Sequence, residues 1–265
     1  MNADTRVLLL TCAFIAGSTG LCAEVRTPEK LPPANYLKIE SEYEDFDDDT
    51  EAWQLSSIDY SHKFQRFGSV IVRVSEADRF GTEGTQYELD MYPKIAKGIY
   101  AYLNIGVSGS DLFPERRYGA QIWKSLPHSY EASIGVRYLA FDDPVTVWTG
   151  SIGKYKGNYY YVLTPYVVDG DDGTSASGIL EIRRYFGDDT DNVFSFRIGY
   201  GNAPEVDTLL QITTTLDNFS VSMGRDWKLN EHWVLGADIG YRDREYNVNV
   251  ERQSVFVKGS LKYRF

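Results

Sequence analysis

The stretch Val255–Phe265, VFVKGSLKYRF, decides how this chain is read. Counted back from the carboxyl end, Phe265, Tyr263, Leu261, Gly259, Val257 and Val255 fall on one face of an extended strand, and Arg264, Lys262, Ser260 and Lys258 on the other. One face is apolar and aromatic, the other charged. A closing strand with lipid on one side and a polar lumen on the other is what a transmembrane β-barrel needs, because no backbone polar group stays unpaired in hydrocarbon. The competing reading is the last strand of a soluble β-sandwich, and the rest of the chain has to choose between them.

The same residues resemble the C-terminal signal by which outer-membrane barrels are recognised for assembly: a polar residue, a small one, then two alternating aromatics ending on Phe. Lys258, Ser260, Tyr263 and Phe265 take those places, with Ser260 where glycine is usual and Gly259 one residue early. Tyr263 and Phe265 are therefore the candidate assembly signal, and the barrel-assembly machinery is an expected partner.

After the N-terminus the 265 residues contain no apolar run long enough for a helical span, and one large domain is the natural organisation. A mean hydropathy of -0.35 does not oppose a barrel, since half of each spanning strand faces a polar lumen. Aromatics at 14%, 20 Tyr among them, suit two interfacial girdles. The net charge of -11 argues against nucleic acid as a partner and fits a bacterial surface of lipid and lipopolysaccharide bridged by divalent cations.

Val7 to Gly17 is an apolar run preceded by Arg6 and too short to span, which predicts a signal peptide over residues 1–23 with cleavage after Ala23. Cys22 raises a lipoprotein alternative, but Thr19, Gly20 and Leu21 do not make the small-residue motif that lipidation requires. Both cysteines, Cys12 and Cys22, lie in this peptide, so the mature chain draws on no disulfide. Residues 24–35, with three prolines, read as a short periplasmic lead.

From Tyr36 to Phe265 about fourteen alternating segments follow, of the length a tilted spanning strand needs: 36–46, 52–64, 67–80, 84–95, 98–110, 116–125, 129–142, 145–156, 158–169, 174–187, 192–202, 213–228, 231–245 and 249–265. A count of twelve stays open if two weak segments merge. The fold class is all-β, an antiparallel up-and-down transmembrane barrel. With the first strand rising from the periplasm, even turns should be short and odd ones longer. Gln65-Arg66, Lys97-Gly98, Pro127-His128 and Asn230-Glu231 are tight even turns; Asp47 to Thr50, Ser110 to Glu115, Asp169 to Gly173, Asn202 to Ile212 and Arg244 to Val248 are odd connections. The even turn Gly187 to Asn192 is longer than the pattern wants. Lipid-facing sets are Ile99 to Val107, Ala132 to Tyr138, Phe194 to Tyr200 and Trp233 to Tyr241, each at alternate positions. The segments from 145 to 169 are apolar on both sides and give no orientation.

The ordered series Leu89 to Asn104 (LDMYPKIAKGIYAYLN), Arg117-Tyr118-Gly119, Lys124-Ser125-Leu126-Pro127, Thr149-Gly150-Ser151, Gly157-Asn158-Tyr159, Arg183-Arg184-Tyr185-Phe186-Gly187-Asp188 and Gly199-Tyr200-Gly201 closely resembles the YaiO family of outer-membrane β-barrel proteins. The resemblance runs from about Tyr36 to Phe265 and implies a barrel in the outer membrane of a Gram-negative bacterium. It carries no catalytic residues. Some relatives place helical repeats before the barrel, which invites comparison with polysaccharide exporters, and no such repeats stand in this sequence.

Inward positions carry charges of both signs: Lys38, Glu40, Glu42 and Glu44, then Arg73, Glu88, Asp90, Arg117, Arg137, Glu181, Arg183, Arg197, Asp226, Lys228, Asp238, Arg242, Lys258, Lys262 and Arg264. Closure sets the acidic first strand against the basic last one, where opposite charges penalise wrong registers. Long charged side chains projecting from most strands should occupy much of the lumen, so the expectation is a narrow or closed barrel, structural or associated with surface polysaccharide. The alternative is a selective channel in which Arg73, Arg117, Arg137, Arg183 and Arg197 line a path for anionic solutes or oligosaccharides. An outer-membrane enzyme comes third, because His62, His128 and His232 all fall at or beside periplasmic turns. The acidic loops Asp47-Asp48-Asp49, Asp142-Asp143 and Asp169 with Asp171-Asp172 lack EF-hand spacing, and no nucleotide loop, zinc spacing or nucleophile elbow is present, so neither metal nor cofactor is expected.

Overall fold

The structure is a computed structural model that describes residues 35–79, 81–170, 173–187, 189–202, 217–247 and 250–265. The expected signal peptide and nearly all of the expected periplasmic lead lie outside the described residues. Fourteen strands follow one another: β1 (Tyr36–Phe46), β2 (Trp53–Phe64), β3 (Gly68–Arg79), β4 (Thr82–Ala96), β5 (Ile99–Ser108), β6 (Arg116–Leu126), β7 (Tyr130–Ala140), β8 (Val145–Lys156), β9 (Tyr159–Gly170), β10 (Gly173–Tyr185), β11 (Val193–Gly201), β12 (Asp217–Lys228), β13 (Trp233–Asn247) and β14 (Val250–Arg264). Each pairs antiparallel with its neighbours in sequence, and β14 closes on β1 from Tyr36 opposite Arg264 to Phe46 opposite Ser254. Closure extends one step further at the base, where the Phe265 amide donates to the Asn35 carbonyl at 3.0 Å and the Asn35 amide to Phe265 at 3.3 Å.

Alternation sorts the two faces as expected. On β14, Val255, Val257, Tyr263 and Phe265 are exposed outward, while Lys258 and Ser254 face in and Arg264 is buried. Outward aromatics gather at two heights, Tyr43, Tyr87, Tyr118, Tyr138, Trp148 and Tyr200 above and Tyr60, Phe64, Tyr130, Tyr159, Trp233 and Tyr263 below, all exposed. From Val255 to Tyr263 the strand advances about 27 Å, enough for the apolar band of an outer-membrane barrel at the usual tilt. Polar outward residues such as Asp45, Glu76 and Asp243 lie beyond the upper belt, where the strands leave the hydrocarbon.

The even connections are short, as expected, apart from residues 186–192. Three odd connections differ from expectation: β3–β4, β9–β10 and β13–β14 are two-residue hairpins, so Asp169, Gly170, Gly173 and Arg244 to Asn247 belong to strands. Polar composition marked these as loops, but a strand that has left the bilayer keeps its ladder while its outward positions turn to water. The twelfth strand begins at Asp217, and the expected start at 213 lies outside the described residues.

Candidate functional site: the barrel lumen

β8 and β9, unreadable by hydropathy, take a definite orientation. Trp148, Ile152, Tyr159, Tyr161 and Leu163 are exposed outward, whereas Val147, Tyr155, Tyr160, Val162 and Tyr166 are buried toward the lumen. The interior is therefore two-sided, with an aromatic and apolar wall on β5–β9, into which Arg117, Glu131 and Arg137 are set, and a charged wall over the remaining strands.

On the charged wall the ions pair locally. The Arg73 Nε of β3 donates to Asp59 of β2 at 2.8 Å, and its Nη1 lies 3.5 Å from Asp90 and 3.7 Å from Glu88 of β4. Arg117 of β6 reaches Glu88 at 3.1 Å. Glu181 takes Arg183 at 2.6 Å and Arg197 at 2.9 Å, and Arg197 continues to Asp238 at 3.4 Å. Near the extracellular end Glu44 accepts from Arg242 and Arg244, each at 2.6 Å, while Glu42 accepts from Arg242 at 2.8 Å and lies 3.0 Å from Lys258. Lys258 also stands 3.8 Å from Glu40, which binds Lys38 at 2.5 Å. Arg137 donates to the Gln121 carbonyl at 3.0 Å and covers the Tyr102 ring at 4.6 Å.

These side chains lie along the wall instead of projecting across it. A methyl group added at Gly119 would stand 2.8 Å from Arg137 Cδ, and one at Gly153 would stand 2.7 Å from the Tyr160 ring. Inward glycines thus leave niches over which a neighbour's long side chain lies flat, and a cavity of ≈ 820 Å³ remains, bordered by both walls.

Lys262 and Arg264 stand opposite Lys38 and Tyr36 of β1, and Lys262 lies 5.1 Å from the Tyr36 ring centre, but their carboxylate partners are not on β1. Both cations bind the long even turn, Lys262 with Asp191 at 2.9 Å, and Arg264 with Asp191 at 2.9 Å and Asp189 at 3.1 Å, while Lys228 of β12 holds Asp189 at 2.7 Å. Asp189 and Asp191 therefore reach inward past β12 and β13 and occupy that side of the periplasmic mouth, while Arg225, on the outward face of β12, covers the Phe186 ring at 4.1 Å. Burial alone would raise the Asp189 carboxyl, but Lys228, the Asp191 amide and Arg264 hold it below its ordinary value of 3.8. A depressed folded value means that docking adds stability above the ordinary pKa and loses it as pH falls through the folded one. The turn is expected to stay docked from neutral pH down through 3.8 and to release only below it. In the variant carrying both Asp189→Asn and Asp191→Asn, cleavage of the turn by an added protease should be about tenfold faster at neutral pH; equal rates would refute the docking.

A family model described as YaiO membrane beta barrel domain matches residues 34–206. The chain belongs to the YaiO family. β12–β14 lie beyond the matched residues of this YaiO barrel. No match was found among curated proteins. Among solved structures it is similar to one described as a bacterial polysaccharide outer membrane secretin, at 10% identity over 89% of this chain and 100% of that one with TM-score 0.60. It is similar also to the CymD monoaromatic hydrocarbon channel, at 9% identity over 89% and 90% with TM-score 0.57. A third is Acinetobacter baumannii outer membrane protein Omp33, at 11% over 89% and 100% with TM-score 0.54. At these identities the likeness concerns the fold alone, and the protein is a bacterial outer-membrane β-barrel.

The charged residues expected from the sequence lie on the lumen side of the YaiO barrel, and Tyr263 and Phe265 face outward. The sequence reading missed Asp59, Glu131, Arg244, Asp189, Asp191 and the inward aromatics. Asp59 stands opposite Arg73 in the β2–β3 register, and Arg244 follows Arg242 by two, so hairpin arithmetic could have found both. Nothing local marks Asp189 or Asp191 as lumenal.

Proposed function

We propose that the protein is a narrow, selective conduit of the outer membrane, nearly closed at rest and serving a surface polysaccharide, rather than a general porin or an enzyme. The observation that carries this reading is the ≈ 820 Å³ cavity held between wall-bound ion pairs and an aromatic wall. Eight carboxylates and nine cations line it, so its interior is close to neutral. Of the five arginines considered for an anion path, Arg73, Arg117, Arg183 and Arg197 bind carboxylates, which disfavours a strongly anion-selective pore and favours a weakly charged solute. The fold shared with a polysaccharide secretin agrees with that cargo class. None of the three histidines lines the cavity, which leaves general acid–base chemistry without its commonest side chain there.

The test is single-channel recording of the purified protein in planar bilayers. Small openings with weak charge selectivity are expected. Gly119→Val, which displaces Arg137 from the wall into the lumen, should reduce them further. Openings as large as those of a general porin, or none in either the wild type or the Asp189→Asn, Asp191→Asn variant, would sink the reading.

A further inference from the structure

We propose that the lumen contains a saccharide-binding subsite on the partly open rings of Tyr92, Tyr100, Tyr102 and Trp123, flanked by the buried pair Tyr155 and Tyr160, which takes consecutive neutral hexose units of a linear polymer. The proposal rests on the conduit reading only for the route by which a saccharide reaches the site. The rings form three pairs along β4–β9. Tyr100 and Trp123 stack at 5.3 Å with their planes 4° apart, Tyr155 and Tyr160 at 4.2 Å and 25°, and Tyr92 and Tyr102 approach to 5.2 Å at 42°. All six border the cavity. Tyr100 and Tyr160 are the second residues of β5 and β9 and Tyr155 the last but one of β8, so the cluster occupies the periplasmic half of the lumen.

Rings that only fill a core are packed on both faces, and the inner positions of an outer-membrane barrel are ordinarily polar. Tyr155 and Tyr160 are packed in that way, at 8% and 7% exposure, whereas Tyr92, Tyr100, Tyr102 and Trp123 are only partly buried and border a cavity whose volume lies within the ~300–1,000 Å³ that holds a small ligand. Charged groups stand at their edges. The Tyr102 hydroxyl donates to Asp90 at 2.9 Å, the Tyr160 hydroxyl to Glu131 at 3.3 Å, and the Arg183 guanidinium sits 5.8 Å from the Tyr160 ring centre. Glu131 is 4% exposed, held between the aromatic pairs. A pyranose has an apolar C–H face and a rim of hydroxyls. The first matches a ring face, the second matches carboxylate acceptors and guanidinium donors at the ring edge. An aromatic hydrocarbon would match the faces alone and gain no hydrogen bond from those edges. The near balance of charge in the cavity favours a neutral sugar over an acidic one.

The experiment is calorimetric titration of the detergent-solubilised protein with maltohexaose, cellohexaose and chitohexaose, with heat-modifiable gel mobility confirming that each variant is folded. Saturable binding of at least one probe is expected. Trp123→Ala should weaken it by about tenfold or more, as expected for the loss of one stacking ring. Tyr160→Phe, which keeps the ring and removes the hydroxyl that meets Glu131, should weaken it less, and Tyr159→Ala on the lipid face should leave it unchanged. No binding of any probe by the folded wild type, binding indifferent to Trp123→Ala, or saturable toluene binding in place of saccharide would each overturn the subsite. Bilayer recording separates the two readings: conductance without saccharide binding overturns the subsite and leaves the conduit, whereas binding without conductance keeps the subsite and ends the conduit.

Discussion

Serine at both Tyr263 and Phe265 is expected to reduce the amount of barrel in the outer membrane by about tenfold or more, with export across the inner membrane unaffected. Both rings face lipid, at 38% and 48% exposure, and they belong to one aromatic patch at the seam. Tyr263 packs against Trp233 of β13 at 4.8 Å and Phe265 at 6.1 Å, and Phe265 stacks on Tyr60 of β2 at 6.4 Å. The patch therefore ties the last strand to both flanks of the closure. Polar replacements place hydroxyls at the interface where the sheet must close, and they erase the terminal aromatic pattern that is expected to direct assembly. Deleting Phe265 should act in the same direction, since it also removes the paired backbone bonds to Asn35. The readout is the heat-modifiable band in outer-membrane fractions set against unassembled protein in the periplasm. Wild-type outer-membrane levels in the double variant would show that neither the patch nor the pattern matters.

Glu44→Ala is expected to cost about 3–5 kcal/mol of stability, the penalty for removing one member of a buried ion cluster. Glu44 receives Arg242 and Arg244 at 2.6 Å and the Ser254 hydroxyl at 2.5 Å, and the three ionised side chains are 5%, 9% and 4% exposed. Without it two guanidiniums from adjacent inward positions of β13 lose the acceptor they share, while Glu42 still accepts from Arg242. Replacing Glu44 and Arg244 together by methionine removes the excess charge with the acceptor and should cost less than Glu44→Ala alone, because the loss comes from the stranded cation and not from the pair's net worth. Denaturant unfolding of the barrel in lipid vesicles measures both. A loss below about 1 kcal/mol for Glu44→Ala would mean that lumenal water screens this cluster as it screens a surface pair.

The barrel was legible because its signal is local. A strand's side chains alternate with period two, so Val255–Phe265 and Trp233 to Tyr241 declare a lipid face and a wet face without reference to any neighbour. Strand number, direction, the short turns at 65–67 and 97–98, and the inward placement of Glu88, Arg117, Arg137 and Glu181 all follow from that period. The segments from 145 to 169 failed the same test because tyrosine suits both an interface and a lumen, so composition could not tell Tyr159 and Tyr161, outside, from Tyr160, inside. Only the register with β7 and β10 orients them. Which way a lumenal side chain lies was likewise beyond the sequence: Arg137 lies over Gly119, and Tyr160 over Gly153, because closure sets a residue without Cβ beside each. The aromatic wall, the open cavity and the turn that brings Asp189 and Asp191 to Lys228, Lys262 and Arg264 were decided by the tertiary structure. The turn alone joins residues 75 positions apart across the barrel interior, and periodicity within one strand carries no information about that distance.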